Sequence, residues 1–342
     1  MRVNRRFVLS RPGVLDMIEE AVPAAGPGEL LVRVQAGLTC GTDMKMFDRG
    51  HPKLTFPTPF GHEASGDVVE VGEGVEGFQE GDRVMFPISA PCGTCSYCRI
   101  NRENLCHTLM EKKLWGTFSD YIVIPSHIVS WQTYTIPERV SYAEAALLDP
   151  LASVIFSWQR VKINVPGPLV ITGAGAIALM HAWIARERNF EPIFIAGRRP
   201  NRLEVFKQYG FETVIMDENL PEIIRSRTDG LGAEVVIETS GNADLWEPGI
   251  ACLRGGGTFM AFAGCEEGTF TRVDVTALHY EQLTIAGSFH YDRRAVAATY
   301  TAIVSGTYPL HQLFSDTYDL PSLPEALDRL RGGEGFKFVI KP

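Results

Sequence analysis

Between Cys92 and Cys106 the chain carries four cysteines in the pattern Cys92-x-x-Cys95-x-x-Cys98, with Cys106 following after seven intervening residues. Thiols spaced this tightly do not make a disulfide framework, and the chain's total of seven cysteines is odd. The pattern therefore points to a metal held in a reducing, cytoplasmic setting. Four thiolates and no other donor form a closed, tetrahedral zinc site of the structural kind. In an iron–sulfur run the fourth cysteine follows at x₃ and precedes proline, whereas Cys106 comes later and is followed by His107, so zinc is favoured. A site of this kind staples a loop and carries no chemistry.

A second donor set has the opposite character. Cys40 and the run Gly61-His62-Glu63 lie far apart in sequence, and only a fold can bring them together. Mixed sulfur and nitrogen donors with one coordination position open are what a catalytic zinc requires. Downstream, Leu169-Val170-Ile171-Thr172 reads as a short apolar strand running into Gly173-Ala174-Gly175-Ala176-Ile177-Ala178. A glycine-rich turn between strand and helix lets the backbone approach a pyrophosphate and presents free N–H groups at the helix start. A zinc Lewis acid together with a dinucleotide implies hydride transfer at an alcohol or carbonyl carbon.

The 342 residues are enough for two domains. With 45% hydrophobic and 21% charged residues the composition is that of an ordinary globular protein. A net charge of −9 argues against nucleic acid or an anionic membrane as a partner. The basic start Met1 to Arg6 leads to no apolar stretch, because Arg11-Pro12 follows Phe7-Val8-Leu9-Ser10 at once. The uncharged stretch Leu169 to Ala185 is too short to span a bilayer and contains the glycine turn. Cys252 and Cys265 are expected to be buried structural thiols.

Residues 1–150 read as a β-barrel-like domain, with strands around 29–34, 66–71 and 120–124. Residues 151–289 read as a doubly wound α/β domain. Its strands are expected at 169–172, 193–196, 235–237, 258–261 and 283–285, with a helix from the glycine turn to about Arg188 and another from Arg202 to Tyr209. The tail from about 290 reads as one helix and a final strand at 337–340 that returns to the first domain.

Several motifs carry a resemblance to a known family: Cys40-Gly41-Thr42-Asp43, Gly61-His62-Glu63-Ala64-Ser65-Gly66, and Val71-Gly72-Glu73-Gly74-Val75 through Gly81-Asp82-Arg83-Val84. Over nearly its whole length the chain resembles the zinc-dependent medium-chain dehydrogenase/reductase (alcohol dehydrogenase) family. Asp149-Pro150-Leu151-Ala152 places the likeness closest to the sorbitol and threonine dehydrogenase branch. The resemblance implies an N-terminal GroES-like β-barrel catalytic domain, completed by about 290–342, and a Rossmann domain with a parallel sheet. It implies a homodimer or homotetramer acting on a small hydroxyl or carbonyl substrate. Cys40 and His62 are similar to catalytic zinc ligands. Glu63 and Asp149 both match carboxylates placed at the zinc in this branch, and which of them ligates directly stays open. Thr42 resembles the relay hydroxyl that follows the ligand cysteine. Lys45 stands where relatives often carry His, and reads as either a relay or a solvated surface lysine.

The cofactor reading turns on the second strand of the α/β domain, where NAD enzymes place an acidic residue. Here Gly197 occupies that position and Arg198 and Arg199 follow. Glycine makes room for a 2′-phosphate and arginine can donate paired hydrogen bonds to it, so NADP(H) is expected over NAD(H). The favoured substrates, on the branch resemblance, are polyols, sugars or cyclitols. A simple secondary alcohol and an amino-alcohol such as threonine are the alternatives. Substrate contacts are expected from the loops Phe47–Thr58 and Trp115–Phe118, while His290 and Tyr291 read as core or surface residues, with a place in a pocket or subunit interface as the alternative. A non-catalytic relative that kept only the fold would be expected to lack Cys40, His62, Glu63 or Asp149, and all four are present.

Overall fold

The computed structural model describes residues 2–50, 54–161 and 165–342. The chain separates into two compact units, one made of Met1–Ala152 with Tyr291–Pro342 and the other of Ser153–His290.

The first unit begins with a hairpin of β1 (Val3–Arg11) and β2 (Val14–Ala21), whose turn uses Gly13 at φ +78°. Further strands are β3 (Leu30–Leu38), β4 (Thr58–Pro59), β5 (Ala64–Val71), β6 (Arg83–Met85), β7 (Tyr121–Ile124) and β8 (Tyr134–Thr135). The central strand is β3, which is buried along most of its length apart from the exposed Arg33 and half-buried Gln35, and pairs antiparallel with β5 and β7. Its inward residues Val32 and Val34 pack with Val84, Phe86, Ile122 and Ile128.

The second unit holds β9 (Leu169–Thr172), β10 (Ile193–Gly197), β11 (Glu212–Ile215), β12 (Ala233–Glu238), β13 (Leu253–Ala261) and β14 (Thr284–Gly287). They form one six-stranded sheet in the order β11-β10-β9-β12-β13-β14, parallel throughout. All residues of β9 and β10 are buried, as expected of parallel strands covered on both faces. Strand order reverses between β9 and β12, and crevices for ligands form at such switch points beyond the carboxyl ends of the strands. The helix after β9 runs from Ala176 to Glu187, and the one after β10 from Pro200 to Gln208. The latter starts earlier than the sequence suggests, because Pro200 suits a first turn that needs no N–H donor.

The tail departs from the expectation of a single helix. It contains helices Arg293–Ser305 and Leu323–Gly332, separated by β15 (Phe314–Asp319), and ends in β16 (Lys337–Lys341). Strand β16 pairs with β3 and β15, which ties the tail into the first unit. Leu323, Leu327 and Leu330 pack with Phe60, Phe118 and Phe338 in the core there. Cys252 is buried, but Cys265 is partly exposed, contrary to expectation; it lies beyond β13 in the connection to β14, outside the sheet core. No helix among the described residues is long and apolar enough to cross a membrane.

Candidate functional site

The first unit brings Cys40, His62 and Glu63 together, with one donor atom from each lying within 4.8 Å of the others. Cys40 is the N-cap of helix Gly41–Arg49. His62 follows a turn at Gly61, whose φ is +96° and whose missing side chain would collide with Phe118 and Thr117. Only glycine admits that close approach, so Gly61 sets the direction in which His62 enters the cluster.

Asp43 organises two of the three donors. Its Oδ2 accepts from the backbone N of Cys40 at 2.9 Å, and its Oδ1 lies 2.7 Å from Nδ1 of His62. An ionised carboxylate only accepts, so Nδ1 carries the hydrogen and Nε2 is left to bind a cation. Burial opposes protonation of the ring, yet the charges of Asp43 and Cys40 outweigh it and raise the His62 pKa well above the usual value. The same local negative charge would attract a cation.

Glu63 is fully enclosed. Its Oε2 pairs with the ammonium of Lys337, which also donates to the carbonyl of Thr39 at 3.2 Å. Its other oxygen, Oε1, is buried with no hydrogen-bond partner and stands 3.8 Å from Nε2 of His62. A buried carboxylate oxygen left unpaired beside the second imidazole nitrogen and a thiol fits a divalent metal.

Asp149 stands outside this set. Its Oδ1 accepts from Tyr291 Oη at 2.5 Å and from the backbone N of Ile88 at 3.1 Å. Of the two carboxylates left open by the sequence, Glu63 is thus the one the fold groups with Cys40 and His62. Asp is one methylene shorter than Glu, and here its reach is spent on Tyr291. Thr42 and Lys45 lie on the same helix as Cys40 and are both exposed. Residues 51–53 of the Phe47–Thr58 loop fall outside the described residues.

The four cysteines of the second cluster also converge, with donor atoms within 4.8 Å of one another. The sulfurs of Cys95 and Cys98 are 3.5 Å apart and those of Cys92 and Cys98 4.0 Å. A zinc–sulfur distance of about 2.3 Å implies a tetrahedron edge of about 3.8 Å, so the spacing fits zinc. Hydrogen bonds from the backbone and hydroxyl of Thr94 bring the Cys92 thiol down to about 5, while burial pushes Cys98 up to about 12.

In the second unit Gly173 follows β9 at φ +110°, and a side chain there would meet Thr239. Gly175 caps the helix whose first turn holds Ala176 and Ile177. Gly173, Gly175, Ala176 and Ile177 all remain partly exposed, whereas Ala178 behind them is buried. Gly197 closes β10 and is buried, while Arg198 and Arg199 are exposed and Arg199 caps the next helix. Arg202, not singled out from the sequence, reaches back to the carbonyl of Ala174 at 3.3 Å. Burial and then the charge of Arg199 lower its pKa to about 10.

Three residues that partner His62, Glu63 and Asp149 were not given roles from sequence. Asp43 lay inside a motif without an assigned partner, Lys337 lay inside a terminal strand, and Tyr291 read as core or surface. No local spacing connects Lys337 with Glu63 or Tyr291 with Asp149.

Comparison with known proteins gives the family. Residues 26–134 match the alcohol dehydrogenase GroES-like domain, and residues 176–305 match the zinc-binding dehydrogenase family. Sorbitol dehydrogenase of Bacillus subtilis is 30% identical over 320 residues, covering 90% of this chain and 88% of that protein. L-threonine 3-dehydrogenase of Deinococcus deserti is 27% identical over 341 residues, covering 97% and 96%. A Sinorhizobium meliloti structure, described as a zinc-binding dehydrogenase bound to NADP, superposes with a TM-score of 0.89 at 24% identity, covering 100% of both chains. The chain is thus an oxidoreductase that belongs to the zinc-dependent medium-chain alcohol dehydrogenase family, in its sorbitol and threonine dehydrogenase-like branch.

Proposed function

We propose that this chain transfers hydride between NADP(H) and a secondary alcohol or ketone, with a polyol, sugar or cyclitol as substrate. The observation that carries the reading is the convergence of Cys40, His62 and Glu63, with Glu63 Oε1 buried and unpaired. In this reading residues 1–150 with the tail form the catalytic domain and 151–289 the NADP-binding domain. Two zinc ions are held per chain, one by Cys40, His62 and Glu63 and one by Cys92, Cys95, Cys98 and Cys106.

When bound, zinc supplies a Lewis acid that acidifies a substrate hydroxyl or polarises a carbonyl, and NADP supplies the hydride carrier. The chain's own residues set the geometry. Asp43 fixes the tautomer and orientation of His62, and Lys337 holds one oxygen of Glu63 while the other points at the donor group. Asp149, braced by Tyr291, offers a carboxylate beside the metal cluster without joining it. Thr42, exposed in the first helical turn after Cys40, is a hydroxyl able to pass a proton from substrate to solvent.

Gly173, Gly175, Ala176 and Ile177 cradle the pyrophosphate, and Gly197 with Arg198 and Arg199 receives the 2′-phosphate. The absence of an acidic side chain at Gly197 supports NADP(H). The sorbitol and threonine dehydrogenases named above are relatives of this chain, and sorbitol is the polyol case. The expected setting is cytoplasmic, where the thiolates stay reduced. The expected assembly is a homodimer or homotetramer; the open sheet edge at β14 and the exposed Phe270, Val275 and Tyr280 in the segment before it offer a surface for a second copy.

Initial rates on zinc-replete protein, with NADP⁺ and NAD⁺ run against polyols, cyclitols, sugars, threonine and simple secondary alcohols, test the proposal. A polyhydroxylated substrate oxidised mainly with NADP⁺ supports it. Activity confined to plain alcohols or to threonine overturns the substrate class, and a preference for NAD⁺ overturns the cofactor assignment.

A further inference from the structure

Lys113 is a cation for which the chain provides no acceptor. It lies between the cysteine cluster and β7, partly buried, and among the described residues it donates no hydrogen bond and joins no ion pair. Its ammonium stands 4.8 Å from the centre of the Trp115 ring, and that ring meets the His62 ring edge-on at 6.0 Å. Burial lowers its pKa, while Asp149, then Cys40 and Asp43, act on it through space in the opposite sense. The charge is therefore within electrostatic reach of the metal cluster without touching a metal-binding residue.

The anions around Lys113 are already matched by other donors. Asp43 serves His62 and the Cys40 backbone, Glu63 is paired with Lys337, and Asp149 takes the Tyr291 hydroxyl and the Ile88 N–H. A lysine needed only for packing extends its ammonium to water. Lys113 instead keeps its charge over an aromatic face beside the cluster, a place where a ligand can supply the missing acceptor. The nearby Asp149 makes an anionic group a poor match. A hydroxyl suits both neighbours, since it accepts from an ammonium and donates to a carboxylate.

We propose that Lys113 is a substrate-positioning residue whose ammonium donates to a second oxygen of the substrate, so that the site favours hydroxylated substrates over plain secondary alcohols. This deepens the polyol reading above and rests on it. The Trp115 ring lies between the two groups, with the Lys113 ammonium 4.8 Å from its centre and the His62 ring against its edge.

The test uses zinc-loaded full-length protein, saturating nicotinamide cofactor, and a matched pair of substrates: butanediol with vicinal hydroxyls and secondary butanol. In Lys113→Met the ratio of kcat/KM for diol over mono-alcohol should fall at least about tenfold, the loss expected for one hydrogen bond to a charged group. The fall should come through KM, with kcat for the diol changing less than about threefold. Lys113→Arg should recover part of the ratio. Absorption spectra of the cobalt(II)-substituted variants and their thermal midpoints report the metal geometry and the fold. An unchanged ratio in Lys113→Met, or a wild type with no diol preference, overturns the proposal. So do equal losses on both substrates accompanied by a changed cobalt spectrum, which would mark a structural role. A wild type that rejects longer polyols while its diol preference still depends on Lys113 overturns the polyol assignment and leaves Lys113 in place.

Discussion

Lys337 and Glu63 form an ion pair with both side chains almost fully buried, across a separation of 274 residues in sequence. The last strand of the chain therefore reaches the metal-binding cluster directly. Burial alone would lower the Lys337 pKa, but Glu63 and then Cys40 outweigh it and keep the ammonium charged. Burial pushes Glu63 the other way, towards protonation, and Lys337 opposes that. Each charge is tolerable there because of the other.

Removing one partner of this pair should cost more than removing both. Lys337→Met leaves an uncompensated buried carboxylate, for which a loss of about 3–5 kcal/mol is expected. Adding Glu63→Gln to that variant should restore part of the stability. Urea unfolding of the two single variants and the double variant, all in the same metal state, measures the coupling. Additive losses would mean that the pair contributes nothing beyond its separate side chains.

Asp43 makes a separate contribution, through the orientation of His62. Asp43→Asn keeps the shape of the side chain but can present an N–H to Nδ1, which favours the tautomer with its hydrogen on Nε2 and spoils the metal-facing nitrogen. Zinc affinity at this cluster, measured by competition with a chromophoric chelator, should fall about 10- to 100-fold. The cysteine cluster should keep its metal, since Asp43 makes no contact with it among the contacts described. Loss of both metals together would show that the substitution acts on the fold instead.

The extent to which the sequence announced this arrangement depended on how local each signal was. Cys92, Cys95, Cys98 and Cys106 fall in one loop, and Gly173 and Gly175 sit in one turn, so spacing alone identified both. The strands β3, β5, β7, β9 and β10 were legible because their apolar residues run together or alternate with turn residues at each end. By contrast β1 contains Arg5 and Arg6, whose charges are met by Asp120 just before β7 and Glu20 on β2, and nothing local marks them as strand residues. Strand β15 is largely exposed, with a single buried side at most, and helix Leu323–Gly332 opens on Leu-Pro, which reads as a loop until its leucines are seen packed. Lys337 and Tyr291 acquired roles only through partners more than a hundred residues away.

The cofactor assignment makes a prediction at the end of β10. Gly197→Asp combined with Arg198→Ala introduces a carboxylate where a 2′-phosphate would sit and removes one donor to it. The ratio of kcat/KM for NADP⁺ over NAD⁺ should fall by about 10- to 100-fold, the scale of one or two charge-assisted hydrogen bonds. A new Cβ at position 197 would lie 3.1 Å from Ala174 Cβ and Leu203 Cδ2, so a small adjustment is required, and thermal midpoints should accompany the kinetics. An unchanged ratio in a stable variant would reduce Arg198 to a solvated loop residue.

His181 gives a pH-dependent prediction that is independent of both metal clusters. The side chain is completely buried in helix Ala176–Glu187, where its Nδ1 accepts from Trp158 Nε1 at 3.0 Å, and its Nε2 has no hydrogen-bond partner. The ring also meets Phe262 edge-on, with centroids 4.7 Å apart. Burial brings its pKa down to about 3 from an ordinary value of 6.5. The folded protein therefore keeps the ring neutral, while the unfolded chain takes up a proton as the pH falls below about 6.5. Its contribution to stability is complete above the unfolded pKa and is lost progressively as the pH falls towards the folded one, at up to about 1.4 kcal/mol per pH unit. His181→Gln retains an acceptor for Trp158 but does not titrate. Urea unfolding between pH 7 and pH 5, in 0.5-unit steps on the order of the titration width, should show a slope in the wild type that is reduced in the variant by this amount. Identical slopes in the two proteins would mean that the ring is already protonated in the folded state, or that water reaches Nε2.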